Sequence, residues 1–458
     1  MIKKIDEPVD AIREISPLVL IDVRTGNLCD AAERIRIFKT DPIFHELFSS
    51  MSMELDTDRI EKVVTRYFRY VMFSHTWEGK EPTFQDASEK SVYELDPHPL
   101  KHKLRCFCET VLDDPEGYLW AWSDTCCIDK TIETIYRKSI RSMYNWYQES
   151  ALTIVLLTRG SRPSTPKNNR WMTRAWTLQE LLSPKSIRFY DRDWKLYRGD
   201  TRPNHKESPH TMRELAEAVG VAQDTLVDFS PKSLSVRAKL RLASTREATE
   251  KVDIAYALIG IFSSDLIPEY RDPEDALGLL LQEIVHQERD AKAVLDFGKS
   301  SQFNSCLPAQ ISAYQDSPYT PPPIPENEME ARLAELRILL PERDVTMFFE
   351  NLSTLGPIHF NYRRLSLSCI TFSSKFRLAM ARSCLGAIPW VGGVRECDGL
   401  GGVGVGAGVG AGGVGGLTWT CMGGGSAYPQ YPRISTVGPP VTCGFYVVIF
   451  ILPISICT

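Results

Sequence analysis

The chain has 458 residues, of which 43% are hydrophobic and 24% are charged, and its formal net charge is −5. This composition is ordinary for a globular protein, and the length favours two folded units followed by a tail. The net charge gives no general attraction to nucleic acid or to anionic membranes, and no basic stripe is interleaved with aromatic residues. We therefore exclude nucleic acid as a partner.

The N-terminus and the cysteines both indicate a cytoplasmic protein. Residues 1–15 (MIKKIDEPVDAIREI) carry charges throughout and lack the apolar core of a secretory signal. The 12 cysteines are scattered, as in reduced intracellular proteins. The close pairs, Cys106/Cys108 and Cys126/Cys127, do not have the spacing of a structural zinc site, so we predict no metal.

Short apolar runs alternate with helical patterns through the first two-thirds of the chain. Five runs are predicted to be strands, at residues 17–22, 70–75, 118–123, 152–158 and 186–190. Apolar residues at helical spacing fall between them, at positions 100–111 and 132–151. Strands that alternate with helices predict an α/β fold with a doubly wound, mainly parallel sheet. Ligands of such sheets bind outside the carboxyl ends of the strands.

The remaining chain is predicted to be helical and then weakly structured. Helical patterns occupy residues 212–219, 236–243, 250–261 and 273–289, and a charged helix is predicted at 327–340. The expected organisation is a lead-in strand and helices (1–65), a sheet core (66–205), a helical extension (206–300), a proline-rich, weakly structured linker (301–383) and a disordered tail (384–458). The tail is Gly-rich at 399–416, and its last apolar run is about 14 residues, against about 20 for a bilayer span. Residues 384–458 are a genuine tail, a tail anchor or an artefact of the gene model. The protein would reach a membrane only through a tail anchor.

Residues 171–182 (WMTRAWTLQELL) hold the strongest candidate for chemistry. The side chains of Asn168 and Asn169 precede them as potential N-caps, and we predict one three-turn helix. Glu180 lies one turn beyond Trp176 and Thr177, which places a carboxylate beside an indole and a hydroxyl. The pattern fits a substrate-binding acid, and it also fits a surface glutamate on an ordinary amphipathic helix.

Polar residues also follow two of the predicted strands. Ser74, His75 and Trp77 stand at the end of YVMFSHTW, and we interpret them as pocket lining, because neighbouring strand residues point to opposite faces and no nucleophile elbow surrounds Ser74. Asp124 and Asp129 flank the twin cysteines of WSDTCCIDK. They are candidates for substrate binding, or equally for helix capping and a salt bridge to Lys130 or Arg137.

Four segments in this order resemble the fungal heterokaryon incompatibility (HET) domain: YVMFSHTWEG, WSDTCCIDK, SIRSMYNWY and RAWTLQELLSP. The later stretch LASTREATEKVDIAYALIGIFSSDLIPEY is similar to the C-terminal part of the same family pattern. The resemblance covers residues 17–288. The chain departs from the pattern by Ser123 in place of Ile, Ala175 in place of Gly, Val252 near an expected Glu, and Glu78 between the Trp and the Gly.

HET domains resemble Toll/interleukin-1 receptor (TIR) domains, which implies a flavodoxin-like parallel sheet. Enzymatic TIR domains carry a W-C-x-x-E helix whose glutamate drives NAD⁺ cleavage, and the segment from Trp176 to Glu180 has the same spacing. The resemblance thus implies that Glu180 is catalytic. It implies a substrate site formed by Ser74, His75, Trp77, Asp124, Asp129, Arg174, Trp176 and Thr177, with NAD⁺ as substrate and without a bound cofactor.

The family resemblance implies a role in non-self recognition, innate immunity and programmed cell death. No Walker motif or repeat period is present, so we expect self-association and a separate sensor protein as partner. Two alternatives remain open at this stage. The first alternative to NAD⁺ cleavage is a non-enzymatic signalling scaffold that assembles through the same sheet. The second is a decayed member of the family.

Overall fold

The computed structural model describes residues 2–50, 57–95, 99–157, 169–269, 273–288, 293–294 and 307–317, with short strands between 359 and 449 and helical positions 331, 334 and 338. The chain divides into two compact units, Met1–Leu280 and Leu281–Thr458. No helix in the described parts of the chain is long and apolar enough to cross a membrane.

The first unit is built on one six-stranded sheet. Its strands are β1 (Val19–Asp22), β2 (Asn27–Asp30), β3 (Tyr70–His75), β4 (Trp120–Trp122), β5 (Leu152–Leu157) and β6 (Ile187–Asp191). Their spatial order is β2-β1-β4-β3-β5-β6. β3 pairs in parallel with β4 and β5, and β5 pairs in parallel with β6. β1 is antiparallel to both of its neighbours, so the sheet is mixed but mostly parallel, and the predicted fold class is confirmed.

The order of the four parallel strands determines where a ligand site is expected. Their spatial order is β4-β3-β5-β6. If the four are renumbered 1 to 4 from β3 onward, this order is 2-1-3-4, which is the beginning of the flavodoxin-like order. In this arrangement the connections leave the sheet toward opposite faces on the two sides of the first parallel strand. A ligand site is therefore expected at the carboxyl ends of β3 and β5.

All five predicted strands are present, with ends that differ by up to two residues. β3 and β5 are buried along their whole length, as expected for strands covered on both faces. The sequence did not predict β2, a short and largely polar strand that forms an antiparallel hairpin with β1. The hairpin turns at Gly26, whose φ of 74° is accessible to glycine at little cost.

Thirteen helices are assigned in the described part of the chain. They are α1 (Ile2–Ile15), α2 (Ala31–Thr40), α3 (Pro42–Ser50), α4 (Thr57–Phe68), α5 (Phe84–Glu89), α6 (Pro99–Leu112), α7 (Glu133–Glu149), α8 (Thr177–Leu182), α9 (Pro209–Val219), α10 (Gln223–Val227), α11 (Val236–Ala243), α12 (Asp253–Tyr256) and α13 (Pro273–Glu288). Short 3₁₀ turns lie at Val92–Glu94, Arg170–Thr173, Tyr197–Gly199, His205–Glu207 and Ile311–Tyr314.

The predicted helices at 100–111, 132–151, 212–219, 236–243 and 273–289 correspond to α6, α7, α9, α11 and α13. The prediction of one helix over 250–261 was too long, because only α12 is α-helical and turns continue to residue 263. Residues 318–330 of the predicted linker and nearly all of 384–458 lie outside the described residues, and of 327–340 only three helical positions are described.

The second unit contributes short antiparallel strands in its described residues. β7 (His359–Asn361) pairs with β8 (Arg364–Ser366). β9 (Ser368–Phe372) pairs on its two sides with β10 (Gly416–Thr418) and β11 (Val447–Ile449). The last two strands are the only described residues of the segment for which a disordered tail was predicted.

The core of the first unit is aromatic where α7 covers the sheet. Trp122 on β4 meets Trp146 and Tyr147 of α7 edge-on, with ring centroids 6.0 Å apart in both pairs. The hydroxyl of Tyr147 donates to the carbonyl oxygen of Phe73 on β3, at 3.1 Å. Each fully buried side chain of this size contributes about 1.5–3 kcal/mol to stability, so α7 holds the central strands firmly in place.

Gly260 lets the helical extension approach α7, which generates a stability prediction. A Cβ at this position would stand 2.0 Å from the Cβ of Tyr144, a contact that the helix backbone cannot relieve by rotating a side chain. We expect Gly260→Ala to lower the free energy of unfolding by about 1–3 kcal/mol, the usual cost of overpacking. Urea unfolding of the purified chain measures this change.

The matched control is Gly278→Ala in α13, where an added Cβ meets no atom within 4 Å. Alanine has the higher helix propensity, so this variant should be neutral or stabilised by up to about 1 kcal/mol. Equal unfolding midpoints for the Gly260→Ala variant and the wild type would contradict the close packing of the extension on α7.

Candidate functional site

A buried hydrogen bond joins the carboxyl end of β3 to α8. The hydroxyl of Ser74 donates to Oε2 of Glu180, and it accepts the indole N–H of Trp171 at 2.7 Å. Ser74 and Glu180 are 1% and 8% exposed. Oε1 of Glu180 makes no hydrogen bond to any residue in the described part of the chain. The site therefore holds one carboxyl oxygen in place and leaves the other free.

The backbone before α8 is broken, which corrects the prediction of a continuous helix over 171–182. A 3₁₀ turn at Arg170–Thr173 begins with the side chain of Asn169, which accepts the amide N–H of Trp171 at 2.9 Å. The chain is then extended at Arg174 (φ −79°, ψ 139°). The amide of Ala175 donates to the carbonyl oxygen of Glu247 (2.8 Å), and the amide of Glu247 donates to the carbonyl oxygen of Thr173 (2.6 Å). This pairing with a distant segment engages the amide of Ala175 and the carbonyl oxygen of Thr173, two groups that would otherwise continue the helix.

Arg246 fixes the start of α8 from the same distant segment. Its Nη1 donates to the hydroxyl oxygen of Thr177 (2.9 Å) and to the carbonyl oxygen of Arg174 (2.8 Å). The Thr177 hydroxyl in turn donates to the carbonyl oxygen of Trp171 at 2.5 Å. Thr177, predicted to bind substrate, is thus buried and engaged in holding the turn that presents Glu180.

Trp77 and Asp124 meet at the outer side of the same sheet edge. The indole N–H of Trp77, just beyond β3, donates to Oδ2 of Asp124, just beyond β4, at 3.0 Å. Nζ of Lys130 lies 3.9 Å from the centroid of the Trp77 ring, a cation–π contact. Trp77 is 43% exposed, which is unusual for an indole and makes it the accessible aromatic surface at this edge.

Trp176 and Arg174 both contact the segment that follows α11. The indole N–H of Trp176 donates to Oδ2 of Asp253 at 3.0 Å. Nη1 of Arg174 donates to the hydroxyl oxygen of Thr249 at 2.9 Å. Residues 246–253 therefore contact both predicted binding residues as well as the backbone before α8.

The charges at this edge act on one another. Burial raises the pKa of Glu180 to about 8, although the hydrogen bond from Ser74 lowers it; the charge of Asp124 raises it further, and Arg174 and Arg246 lower it. Burial also raises the pKa of Asp124, against the opposing effects of Lys130 and the Trp77 hydrogen bond. At neutral pH Glu180 is mainly protonated, the state that a desolvated carboxyl group favours.

Two predicted site residues, His75 and Asp129, make their contacts away from Glu180. His75 lies on the face of β3 opposite to Ser74 and stacks on Phe73 at 4.3 Å. Burial and the charges of Lys103 and Lys130 hold the pKa of His75 well below its usual range, so its ring is neutral. Asp129 accepts hydrogen bonds from Thr131 and from Gln85, and serves as a turn cap before α7.

The predicted salt bridges of the two aspartates are absent within the described residues: Arg137 pairs with Glu133, and Lys130 lies over Trp77. In those residues no group of three or more His, Cys, Asp or Glu side chains is arranged to hold a metal ion.

The sequence did not single out four residues that contribute to the site: Trp171, Lys130, Arg246 and Asp253. Trp171 and Lys130 are neighbours of residues that it did single out. Arg246 and Asp253 lie in a segment that matches the family pattern, but nothing local indicates that it folds back onto α8. Arg246 stands in a polar stretch (residues 244–251, STREATEK), where a charged side chain gives no signal of its own.

The raised pKa of Glu180 predicts a pH-dependent effect of Glu180→Gln on stability. The unfolded chain titrates near the ordinary pKa of about 4.5 and the folded protein near about 8, so neutral Glu180 contributes stability that is lost as pH rises between these values. Gln stays neutral throughout. We expect the variant to be close to wild type near pH 4.5 and to gain about 1.4 kcal/mol per pH unit up to about pH 8.

Urea unfolding at pH 5, 6, 7 and 8 measures this difference, with Glu217→Gln on the exposed side of α9 as the matched control. A difference between Glu180→Gln and wild type that does not change with pH would contradict a raised pKa for Glu180.

Comparisons with known proteins agree with the motifs in the sequence. The family model described as heterokaryon incompatibility protein (HET) matches residues 70–170. The vegetative incompatibility protein HET-E-1 of Podospora anserina is 30% identical over 230 residues, which cover 47% of this chain and 16% of that protein. The chain thus matches a minor part of that relative, and no solved structure matches it. Residues 70–170 of this chain therefore match the HET domain family.

Proposed function

We propose that this protein acts in heterokaryon, or vegetative, incompatibility. The HET family match over residues 70–170 and the similarity to a vegetative incompatibility protein support this role. The similar region is a small part of that relative, so what this chain has in common with it is the domain rather than the whole assembly. The site at the carboxyl edge of the sheet is where a chemical activity of the domain would reside.

We infer further that this site hydrolyses the bond between nicotinamide and ribose in NAD⁺. The observation that carries this inference is the state of Glu180. It is desolvated, Ser74 holds one of its carboxyl oxygens, and the other oxygen is free of hydrogen bonds to the described residues. It lies next to β3, at the edge of the sheet where this strand order predicts a ligand site.

The chemistry of NAD⁺ cleavage requires little beyond one such carboxylate. Nicotinamide leaves NAD⁺ as a neutral molecule, so no acid is needed to protonate it. As the C–N bond breaks, positive charge develops on the ribose, and ionised Glu180 stabilises that charge in a site of low polarity. Water then attacks the anomeric carbon and loses a proton, which yields nicotinamide, ADP-ribose and H⁺.

The remaining site residues have roles that follow from their contacts. Ser74 fixes the orientation of the carboxylate, and Trp171 fixes Ser74. Trp77 offers an exposed ring face on which a nicotinamide or adenine ring would stack in place of the Lys130 ammonium. Asp124 holds the Trp77 indole in that position.

A second candidate function is a non-enzymatic assembly module. Glu180 is 8% exposed, and its contact with Ser74 is also what a structural polar pair at the end of a strand would show. In that case the exposed Trp77 would belong to an interface between copies of the domain.

Nicotinamide release from NAD⁺ tests the enzymatic proposal. We expect the purified full chain to release nicotinamide, and Glu180→Gln to reduce the rate at least about 100-fold, because the neutral amide cannot stabilise a developing cation. The control Glu217→Gln makes the same chemical change at an exposed position and should leave the rate unchanged.

Release that survives Glu180→Gln would refute the role of Glu180. Absence of release by the wild type, also at high protein concentration where the domain would assemble, would support the assembly module instead.

The pH dependence of the reaction provides an independent test. Only ionised Glu180 is active in this mechanism, and its pKa is about 8 in the free protein. We therefore expect kcat/KM for NAD⁺ to rise about tenfold per pH unit below pH 8 and to level off above it. Steady-state rates from pH 6 to 9 measure this profile, and a rate that falls as pH rises through 8 would exclude ionised Glu180 as the active form.

A further inference from the structure

Arg246 is a buried cation with unused hydrogen-bond donors. The residue is 5% exposed, and both of its hydrogen bonds, to Thr177 and to the Arg174 carbonyl, run through Nη1. Nε and Nη2 donate to no residue in the part of the chain that the structure describes. A guanidinium group presents five donors in a planar fork, so most of the binding capacity of Arg246 is open.

The charge of Arg246 is also uncompensated. Within the described ranges, no carboxylate oxygen lies within 4.0 Å of the guanidinium group of Arg246 or of Arg174. The guanidinium group of Arg174 makes one hydrogen bond there, to the Thr249 hydroxyl. Burial lowers the pKa of Arg246 to about 10, and the charge of Glu180 opposes this shift, but Glu180 is mainly protonated at neutral pH. A buried charge without a partner is costly, and an anion that arrives with a ligand would relieve that cost.

Both arginines are within electrostatic range of Glu180. Nη1 of Arg246 donates to the backbone carbonyl oxygen of Arg174, and the charges of both residues lower the pKa of Glu180. The charge of Arg174 also lowers the pKa of Asp124. Two unpaired guanidinium groups beside one carboxyl group suit a ligand with two linked anionic groups next to its reacting centre.

We propose that Arg246 and Arg174 bind the diphosphate of the substrate, so that the site selects a diphosphate-linked nucleotide over a nucleoside. This inference rests on the proposed NAD⁺ hydrolysis for the identity of the reacting centre. The anion site itself needs only the two arginines. Arg246 has a second role as well, since its Nη1 bonds hold the turn that precedes α8.

Arg246→Lys separates these two roles. A lysine ammonium retains the positive charge and a donor for Thr177, but it lacks the forked Nε and Nη2 pair that grips a phosphate. We expect the full-length variant to unfold at the wild-type midpoint and to bind inorganic pyrophosphate and ADP-ribose at least about tenfold more weakly, as measured by titration calorimetry at fixed salt. Arg241→Lys, an exposed arginine on α11, is the matched control and should bind like wild type.

Wild-type protein that binds pyrophosphate no more tightly than inorganic phosphate would overturn the proposal, as would a folded Arg246→Lys variant with unchanged pyrophosphate affinity. If Arg246→Lys does not fold, Arg174→Lys carries the same test, because its side chain has only the Thr249 hydroxyl to lose. An affinity that is unchanged in Arg174→Lys would then refute the diphosphate site.

Substrate comparison distinguishes this inference from the proposed function. If the wild type is active, Arg246→Lys should lower kcat/KM for NAD⁺ at least about tenfold more than kcat/KM for nicotinamide riboside, which has no phosphate. NAD⁺ turnover that Arg246→Lys does not affect refutes the diphosphate site alone. Pyrophosphate binding that depends on Arg246, in a wild type that does not cleave NAD⁺, supports the anion site and refutes the hydrolysis.

Discussion

The hydrogen bond between Ser74 and Glu180 is the contact on which this site depends. It joins the end of a strand buried on both faces to a short helix, and it does so with a carboxyl group that has lost nearly all of its water. Desolvation of this kind favours the neutral acid, so the fold maintains Glu180 in a state that free glutamate would not adopt at neutral pH. Every other feature of the edge either holds this carboxyl group in place or sets its charge.

A distant segment supplies much of that support. Residues 246–253 pair with the backbone on both sides of Arg174, bond the Thr177 hydroxyl and accept the Trp176 indole N–H. The family match ends at residue 170, before Glu180, whereas these contacts tie residues 171–182 to a segment about 70 residues further on. The smallest unit that can present Glu180 therefore includes the helical extension, which packs against α7 through the close approach at Gly260.

The sequence predicted the parts of the fold that follow from local patterns. β3 and β5 are continuous apolar runs, and α6 and α7 have clear helical spacing, so each was found within about two residues. The opposite orientation of Ser74 and His75 also follows from the alternation of a strand, and the structure confirms it. Strand order could not be read from these patterns, because pairing between β3 and β5 depends on tertiary packing.

The errors have the same origin. Residues 171–182 have a helical pattern, yet the chain breaks at Arg174 because the backbone of Glu247 bonds the Ala175 amide and the Thr173 carbonyl oxygen. That competitor lies 73 positions from Arg174, outside any local window. Arg246 escaped notice for the same reason: an arginine in a polar stretch has no evident function until the fold brings it to Thr177. The sequence could single out Glu180 as a candidate, but it could not show the charges that set the pKa of this residue.

The proposed substrate has a charge pattern that complements this site. In the free protein the edge holds a neutral acid and two unpaired guanidinium groups. NAD⁺ would bring anionic phosphates to the arginines and a cationic ring to Glu180, and the cation favours ionisation of the acid at the moment when a carboxylate is required. After the bond breaks, nicotinamide is neutral and the remaining product carries only the phosphates. The charge that kept Glu180 ionised is then gone, so burial returns the acid to its neutral state, and the same desolvation that prepares the site resets it.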